Sequence, residues 1–569
     1  MAEFSSEEKR QLEPFVTSVN DDIFCVKDMQ GMVGAAYARY SRAKGGFREV
    51  LLKEFIKEGV IDPVHAAELI ERILIAYGDD SVGELEGGHV SFENISILAT
   101  KEIEERRIGG SPIEQSTRYV FYDQKINGTY RYYREPKIMA SPFAAEYEAT
   151  MDFAFDTYCS FIEPMKEYYG NLKSLEDAEY DINGDGVKEH YADLKTSDDQ
   201  KAFRVTYNAD LRTKACDTLR SLLPIATQTN VGIFGNGRFF QNALTALYTS
   251  PFAEANDIGV KAHTELNKTI PAYVKRAKRN EYLAANHVAM QKLADELFNS
   301  VEPQQPDEAI DLLDYGDDEL AEQLHAEANF SASTVKHLRQ QEFDMFTISC
   351  MLYPYVRHPF RQVRNMVRKL SDDHRMRIAA AYVGNRTTRR DRPYRAFESG
   401  YPYTFDLVTD FGTYKDLMRH RMNTQLRQRF SPLLGFAMPE DMATAGFASK
   451  AEECQRRVLE LYEKLYPTLR NEASYVTLHG NRIRWMLGMN DREAFHLLEL
   501  RTVPQGHPSY RKVSQHMHSV IRKQSPWRAE AMKFVDYNDY FWTRGDSEAR
   551  QRVKERELDE RLKKEKGEP

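Results

Sequence analysis

The chain has few cysteines, and none is paired at metal-ligand spacing. Its 569 residues include five cysteines (Cys25, Cys159, Cys216, Cys350 and Cys454), and no Cys-x-x-Cys motif is present. Structural zinc sites need closely spaced thiolates, and small secreted folds need paired ones. The pattern argues against both, favours a reducing compartment, and predicts no metal centre.

Long apolar segments are also missing. The chain begins Met-Ala-Glu-Phe-Ser-Ser-Glu-Glu-Lys-Arg, which lacks the apolar core of a secretion signal. No later run approaches the roughly 20 apolar residues that cross a bilayer. We therefore expect a cytoplasmic protein that has no membrane association.

Net positive charge and the common phosphate-binding motifs are absent as well. The formal net charge is −9, which argues against nucleic-acid binding by the whole surface and leaves room only for a local basic pocket. No Walker loop, Gly-x-Gly-x-x-Gly or Gly-x-Ser-x-Gly motif lies in a suitable context. The sequence therefore predicts neither a Rossmann dinucleotide site nor a serine hydrolase.

The length and composition indicate a multidomain globular protein. The chain is 41% hydrophobic and 29% charged, as in folded domains, and it is too long for one ordinary domain. Residues 301–340 are acidic and begin with a proline-rich stretch, so we expect an exposed linker with a short helix there. This divides the chain into an N-terminal domain (1–300), a C-terminal domain (341–540) and a charged tail (541–569).

The most informative motif is the triplet Arg419-His420-Arg421, followed by an arginine-bearing helical pattern from Asn490 to Arg501. Planar guanidinium groups bind phosphate oxygens in pairs and stack on aromatic rings. Alone, an Arg-His-Arg triplet is more often a solvated basic turn. Together, the two arginine-rich segments favour a pocket for a phosphorylated, planar ligand.

The two halves of the chain resemble one another. Residues 236–247 are similar to 490–500, and 105–118 are similar to 419–431, in the same order. Such order indicates an internal duplication. The spacing between the two motifs is longer in the first half by roughly sixty residues, which predicts an insertion near 165–202.

Hydrophobic periodicity predicts a mixed architecture. Apolar positions at helical spacing predict helices at 455–465 and 493–501. Alternating β-branched and aromatic residues predict strands at 89–98 and 403–411. The fold class is therefore α/β (α+β), and helices outnumber strands.

The second half resembles the flavin-dependent thymidylate synthases, whose signature is Arg-His-Arg followed after seven or eight residues by serine. The triplet at 419–421 matches the residues that contact flavin in that family. The segment through Glu398 and the helix from Asn490 to Arg501 match further flavin and nucleotide positions. The resemblance implies these flavin-binding residues in this half: Glu398, Arg419, His420, Arg421, Asn490, Arg492, His496 and His507.

The first half resembles the same family in a complementary way. Glu114-Gln115-Ser116-Thr-Arg118 matches the loop that holds deoxyuridylate, and Arg220 matches a second nucleotide-binding arginine. Arg501 of the second half joins this substrate set. The flavin-contacting helix positions of the first half are Asn236, Arg238 and Asn242.

Neither half has the complete set. The first-half triplet is Glu105-Arg106-Arg107 or the frame one residue later, and in the second half Arg429 stands where the family serine belongs. Ser474 replaces the second nucleotide arginine. Because the family builds its sites between subunits of a homotetramer, we expect one composite site in which the second half's triplet and helix face the first half's serine loop.

The resemblance implies two tandem domains, each of helices and antiparallel sheet, that methylate deoxyuridylate or a related uridine nucleotide. FAD would be the cofactor, NADPH and methylenetetrahydrofolate the cosubstrates, and a homodimer would form a pseudo-tetramer. Ser116 would orient the base and Arg501 would stabilise developing charge, and we assign both as catalytic.

Two other functions remain open. The chain could be a degenerate homologue that binds a nucleotide or flavin without catalysis, because neither half keeps a full motif. It could also be a flavin-dependent modifier of uracil in RNA, with the arginines at 389–392 on the backbone.

Overall fold

The computed structural model describes most of the chain. The described residues are 4–27, 29, 32–41, 43–57, 60–61, 80–304, 309–313, 332–387, 391, 393–401, 403–542, 545, 549, 553–555 and 557. Arg389, Arg390 and Arg392, most of the expected linker and most of the charged tail lie outside them.

The secondary structure is dominated by helices. In chain order the helices are α1 (Ser6–Leu12), α2 (Val33–Tyr40), α3 (Phe47–Val50), α4 (Ile97–Glu104), α5 (Pro136–Met139), α6 (Ala144–Ser160), α7 (Ile162–Leu172), α8 (Ser197–Leu219), α9 (Gly237–Thr249), α10 (Ala253–Leu266), α11 (Pro271–Val274), α12 (Glu281–Phe298), α13 (Ala332–Leu352), α14 (Phe360–Lys369), α15 (Asp372–Val383), α16 (Phe411–Leu417), α17 (Glu440–Thr444), α18 (Ala448–Leu465), α19 (Asp491–Arg501), α20 (Pro508–Gln524) and α21 (Pro526–Ala531). The strands are β1 (Ile56–Lys57), β2 (Val60–Ile61), β3 (Gly87–Ser96), β4 (Gly110–Glu114), β5 (Lys125–Ile126), β6 (Thr129–Tyr130), β7 (Glu179–Tyr180), β8 (Glu189–His190), β9 (Gln228–Asn236), β10 (Ile310–Leu313), β11 (Tyr403–Asp410), β12 (Thr424–Arg427) and β13 (Arg482–Met489). The helices predicted at 455–465 and 493–501 and the strands predicted at 89–98 and 403–411 are confirmed within a few residues.

The chain divides into two compact units. The first comprises Met1–Gln115 and Gln228–Ala284, and the second comprises Ser116–Thr227 and Ala285–Pro569. Much of the N-terminal half, including the segment from Ser116 to Arg220, therefore belongs to the second unit. The domain limits expected from the sequence describe the two duplicated segments rather than the compact units, and they stay a prediction.

The first unit contains a three-stranded antiparallel sheet in the order β3-β9-β4. Ser96, at the end of β3, caps α4 by accepting a hydrogen bond from the amide of Ala99. Asn236, at the end of β9, caps α9 by accepting from the amide of Phe239. Serine and asparagine are favoured caps because their oxygens satisfy amides that lack an intrahelical acceptor.

The second unit contains a four-stranded antiparallel sheet in the order β10-β11-β13-β12. Asp410, at the end of β11, caps α16, and Asn490, following β13, caps α19. The strand residues of β11 and β13 are almost all buried. This sheet is therefore covered on both faces, which fits its apolar strands.

The two sheets repeat one design, which confirms the tandem duplication. In each sheet, the last residue of one strand, β3 or β11, caps a short helix, and the triplet follows that helix. A second strand comes next, and a third strand, later in the chain, lies between the other two. The residues from Ser96 to Glu105 and from Asp410 to Arg419 cover the same distance along the chain. This spacing selects Glu105-Arg106-Arg107 as the counterpart of the triplet at 419–421.

Two equivalent segments of the duplication meet within the second unit. The amide of Ile225 donates to the carbonyl of Thr477 (2.8 Å), and the amide of His479 donates to the carbonyl of Leu223 (2.9 Å). Leu223 and Thr477 stand at the same distance before the asparagine that caps the following helix, and so do Ile225 and His479. Such reciprocal pairing is the signature of a local two-fold relation.

The expectation of an exposed acidic linker is wrong for residues 310–313. Residues 310–313 are not exposed connector but form β10, an edge strand that pairs with β11 over Ile310–Leu313. The apolar side chains Ile310, Leu312 and Leu313 are buried. The strand was not expected because the neighbouring residues are acidic. Its apolar side chains are nevertheless buried in the sheet that it forms with β11.

A buried ion pair supports the second unit's sheet and gives a stability prediction. Asp406 on β11 accepts hydrogen bonds from Arg484 on β13 (3.0 Å) and from the hydroxyl of Tyr353 (2.6 Å). Both charged side chains are only 3% exposed. Asp406→Leu leaves a buried arginine unpaired, so we expect the free energy of unfolding to fall by about 3–5 kcal/mol, measured by urea denaturation.

The control for this variant is Asp311→Ala, which breaks the pair with Arg361 at the sheet edge. Those side chains are 30% and 55% exposed, so the loss should stay below about 1 kcal/mol. Equal losses in the two variants would show that burial does not set the cost.

Candidate functional site

His420, the centre of the arginine triplet, is held between Glu493 and Arg501. Arg501 Nε donates to His420 Nε2 at 2.7 Å, and His420 Nδ1 lies 2.9 Å from Glu493 Oε1. Because a guanidinium can only donate, Nε2 carries no proton, and the ring proton must lie on Nδ1, facing the carboxylate. The structure thus fixes one neutral tautomer of His420.

The electrostatics agree with this assignment. Burial lowers the pKa of His420, and the charge of Arg501 acts in the same direction, against the hydrogen bond with Glu493. Burial opposes ionisation of Glu493, but the hydrogen bond from His420 holds the pKa of Glu493 below its usual value. A neutral histidine beside a carboxylate is therefore the stable state at neutral pH, and His420 orients Arg501 rather than carrying charge.

Arg118 of the first half forms a bidentate ion pair with Asp217 at the end of α8. Its Nε and Nη2 donate to the two carboxylate oxygens at 2.7 and 2.8 Å. Its Nη1 donates to the carbonyl of Gln505 at 3.1 Å and to the hydroxyl of Tyr510 at 3.4 Å. A residue of the first half thus contacts the second half immediately beyond Arg501.

Arg220 makes the second contact between the halves. Its Nη1 and Nη2 both donate to Asp416 Oδ2 at 3.1 Å. Asp416 lies on α16, three residues before the triplet. Gly412 on the same helix makes room for this guanidinium, since a Cβ there would lie 3.0 Å from Arg220 Nη2. The first-half counterpart of Gly412 is Leu98, so this space is special to the second half.

Both carboxylates stay ionised because arginines surround them. Burial would raise the pKa of Asp217, but the charge of Arg118 and its hydrogen bonds hold it below its usual range. Burial likewise opposes the charge of Asp416, and Arg220, Arg118 and Arg419 hold its pKa far below the usual range. The influence of residues from both halves on one carboxylate shows how closely the cluster is packed.

His507 closes the cluster as the N-cap of α20. Its Nδ1 accepts from the amide of Ser509 at 3.1 Å, and its Nε2 lies 3.1 Å from the carbonyl of Asp217. Burial and the charge of Arg220 lower the pKa of His507 to about 4. It is therefore a neutral, structural link between α20 and the end of α8.

Tyr510 connects the arginines of the two halves. The Arg118 Cζ lies 5.9 Å and the Arg501 Cζ 5.5 Å from the centre of its ring. Such cation–π contacts fix guanidinium planes. Among the described residues, the two terminal NH₂ groups of Arg501 have no acceptor, which leaves them available to a ligand. We call Arg118, Arg220, Arg501, His507 and Tyr510 the composite cluster.

The other second-half candidates belong to the triplet, to α19 and its N-cap, and to the segment before β11. Arg421, Arg492, His496 and Asn490 are exposed, and Arg419 is half-buried. Arg492 has no ion-pair partner within the described part of the chain. Glu398, also exposed, accepts from the hydroxyl of Thr424 at 3.2 Å. His496 packs against His420, with ring centres 5.1 Å apart. We call Arg419, Arg421, Asn490, Arg492 and His496 the rim residues.

Five first-half candidates lie in the first compact unit, whereas the composite cluster lies in the second. Glu114, Gln115, Asn236, Arg238 and Asn242 belong to the first unit. The side chain of Glu114 is fully buried and lies 3.3 Å from Lys101 Nζ. Arg238 pairs with Glu84, and Asn242 is exposed.

Ser116 lies at the start of the second unit, two residues before Arg118. Its hydroxyl oxygen accepts the amide of Arg118 at 3.1 Å. The structure shows no general base in contact with it among the described residues. A serine without a base is not an activated nucleophile, and the orienting role expected from the sequence stays a prediction.

One group of side chains could hold a metal ion. His420, Glu493 and His496 place ligand atoms within 4.8 Å of one another. However, Arg501 already donates to His420 Nε2, and the proton of His420 faces Glu493. A metal would have to displace both, next to a cation, so we assign no metal there.

Sequence reasoning missed the residues that organise the cluster: Asp217, Asp416, Glu493 and Tyr510. Asp416 and Glu493 stand in the motifs themselves, three residues from Arg419 and from Asn490, and could have been suspected as partners of the arginines. Asp217 and Tyr510 carry no local signal, since only tertiary packing shows which arginine they meet.

Comparison with known proteins identifies the family. The model of the thymidylate synthase complementing protein family matches residues 27–272 and 361–527. The chain belongs to this family. Its two matched regions correspond to the two copies of the sheet, as expected for a tandem member of the flavin-dependent thymidylate synthases.

Full-length relatives occur in bacteria and archaea. A UPF0159 protein of Chlamydia muridarum is 33% identical over 97% of this chain and 99% of its own length. One of Chlamydia pneumoniae is 34% identical, covering 94% and 96%. One of Thermoplasma acidophilum is 28% identical, covering 92% and 98%. Because the similarity covers nearly the whole of each protein, it includes both copies of the duplication. The relatives' names state no activity and leave the reaction open.

In the described ranges, no helix combines the length and the apolar character that a bilayer crossing requires.

The depressed pKa of His507 predicts how stability depends on pH. In the unfolded chain this histidine titrates near pH 6.5, whereas in the folded protein its pKa is about 4. The unfolded state therefore binds the extra proton first, so stability falls as pH drops from about 6.5 towards 4. Between pH 7 and pH 5 this histidine alone should lower the free energy of unfolding by about 2 kcal/mol.

His507→Asn is the matched comparison, because asparagine keeps the helix cap but does not titrate. Chemical denaturation at the two pH values should show a loss smaller by that amount in the variant. Parallel pH dependence in the two proteins would contradict the neutral, buried state of His507.

Proposed function

We propose that the composite cluster is a substrate site for flavin-dependent methylation of deoxyuridylate or a closely related uridine nucleotide. The observation that supports this most is the meeting of Arg118 and Arg220 from the first half with Arg501, His507 and Tyr510 from the second. In the family the corresponding residues come from different subunits. Here one compact unit contains both sets.

The ligand chemistry follows from the unpaired groups of Arg501. Its Nε is fixed by His420 and its plane by Tyr510, so its two terminal NH₂ groups are preorganised. Such a fork binds a carbonyl or phosphate oxygen with little loss of side-chain entropy. Facing the uracil carbonyl, it would stabilise the negative charge that develops when C5 acts as a nucleophile.

The rim residues fit the flavin that the family uses. Arg419, Arg421 and Arg492 supply cations, and Asn490 and His496 supply neutral polar groups, which together suit the diphosphate and ring edge of FAD. Bound there, FAD would supply hydride and one-carbon transfer, with NADPH and methylenetetrahydrofolate as cosubstrates. The protein's own part is to bind, to orient and to hold His420 neutral.

A second function is favoured by a specific observation. Arg118 and Arg220 already have carboxylate partners, Asp217 and Asp416, so neither fork is free for a phosphate. A homologue that binds a nucleotide or flavin without methylating it would tolerate this arrangement. The two functions differ in turnover rather than in binding.

The full-length protein tests the proposal directly. We expect it to take up FAD and show flavin absorbance, and to convert deoxyuridylate to thymidylate in the presence of both cosubstrates. Arg501→Ala should weaken deoxyuridylate binding about tenfold, the value of one charge-assisted hydrogen bond, while flavin binding changes much less. Calorimetric titration of each ligand measures both.

Arg377→Ala is the control, because that arginine forms an exposed pair with Glu296. Flavin and nucleotide binding without product formation would select the non-catalytic function. A protein that takes up neither FAD nor deoxyuridylate would contradict both.

A further inference from the structure

A second group of arginines lies in the second unit, around Tyr466. The Cζ atoms of Arg357 and Arg470 are each 5.5 Å from the centre of its ring. Arg470 Nε also donates to the Tyr466 hydroxyl at 3.0 Å. Arg429, the residue that stands in place of the family serine, completes the group and donates to Gln291 at 3.3 Å.

The cationic charge of this group exceeds its anionic charge. Asp295 pairs with Arg470 through two hydrogen bonds of 2.7 and 2.8 Å. In the described parts of the chain, Arg357 and Arg429 form no ion pair. Guanidinium groups remain charged in proteins, so three cations share one carboxylate and leave an excess of two positive charges.

The position of Arg429 makes this excess costly. Burial lowers the pKa of Arg429, and the neighbouring charge of Arg470 acts in the same direction. A half-buried cation beside another cation lowers stability unless an anion is bound. A cation whose pKa is perturbed by burial and by a like charge is a candidate binding group.

The duplication gives an independent reason. Glu114 on β4 pairs with Val231, and Arg427 on β12 pairs with Trp485, at equivalent places in the two sheets. Two residues further on, Arg429 is therefore the counterpart of Ser116, and Ser431 is the counterpart of Arg118. Each copy of the loop keeps one serine and one arginine, in opposite order.

The two copies differ in the carboxylate that neutralises the loop arginine. In the first copy Asp217, three residues before Arg220, pairs with Arg118. Ser474 is the second-copy counterpart of Arg220, and the residue three positions before it is Asn471. The second copy of the loop thus carries the cation without this counter-ion.

We propose that Arg357, Arg429 and Arg470 around Tyr466 form a second anion site, which binds the phosphate of a small phosphomonoester. The excess of two positive charges matches a phosphomonoester, which carries about −1.5 to −2 at pH 7. Arg357 is exposed and gives access, whereas Arg429 lies deeper and Arg470 is fixed by Asp295. The site does not depend on flavin chemistry or on the composite cluster.

The test is calorimetric titration of the full-length protein with inorganic phosphate. All variants are made in an Arg501→Ala background, which weakens the composite cluster. Arg357→Ala and Arg429→Gln should each reduce phosphate affinity about tenfold, and Arg377→Ala should leave it unchanged. Because Arg357 is exposed, its variant should fold normally even if Arg429→Gln does not.

Two further probes identify the source of the phosphate. Tighter binding of uridine monophosphate than of inorganic phosphate, weakened by Arg357→Ala, indicates a nucleotide at this site, and equal affinity indicates free phosphate. Either result supports the site. Phosphate affinity that is the same in Arg357→Ala, Arg429→Gln and Arg377→Ala would overturn it. Binding of oligouridylate alone, with steep salt dependence, would also overturn it.

Discussion

The arrangement of the second unit depends on the backbone pairing between two equivalent segments of the duplication. The reciprocal hydrogen bonds of Leu223 and Ile225 with Thr477 and His479 place the end of α8 beside the start of α16. The carbonyl of His479 in turn accepts the amide of Gly412 at 3.1 Å, the glycine that makes room for Arg220. A contact that would join two identical subunits is here built within one chain, so each side can change independently.

Independent change explains the asymmetry of the two copies. One copy keeps Arg220 where the other has Ser474, and one has Gly412 where the other has Leu98. In a homo-oligomer every substitution appears in all sites at once. In a fused pair, one interface can keep the arginines of a nucleotide site while its counterpart takes on a different set. The composite cluster and the group of Arg357, Arg429 and Arg470 around Tyr466 are the two different arginine sets within the second unit.

Burial of charge sets the energetic limits of the site. Asp217 and Asp416 each hold an arginine in a region with little water, where an unpaired ion costs several kcal/mol. This pairing keeps Arg118 and Arg220 rigid but occupies their forks. Arg501, oriented by a neutral His420 and by the ring of Tyr510, keeps its terminal groups unpaired. The structure thus distinguishes two arginines whose forks are paired with carboxylates from one whose terminal groups have no acceptor among the described residues.

Much of this could be predicted from the sequence, and the rest depends on tertiary packing. The triplet at 419–421, the asparagine caps and the duplicated order are local patterns, because caps and helix spacing are set by neighbours in the chain. The strand at 310–313 was missed because only pairing with β11 stabilises it. Asp217 and Tyr510 were missed because Arg118, which both contact, lies 99 and 392 residues away along the chain. The expectation that the first-half loop and the second-half helix share one site stays a prediction, although Arg118 contacts Gln505 and Tyr510.

The most direct test of the composite cluster is a double-mutant cycle for deoxyuridylate binding with Arg118→Met and Arg501→Met. Both guanidinium groups lie over the ring of Tyr510, so loss of Arg118 should change how Arg501 binds the ligand. The double variant should therefore differ from the sum of the single variants by about 1 kcal/mol or more. Additive effects within about 0.5 kcal/mol, or no effect of Arg118→Met, would show that the two halves do not share a site.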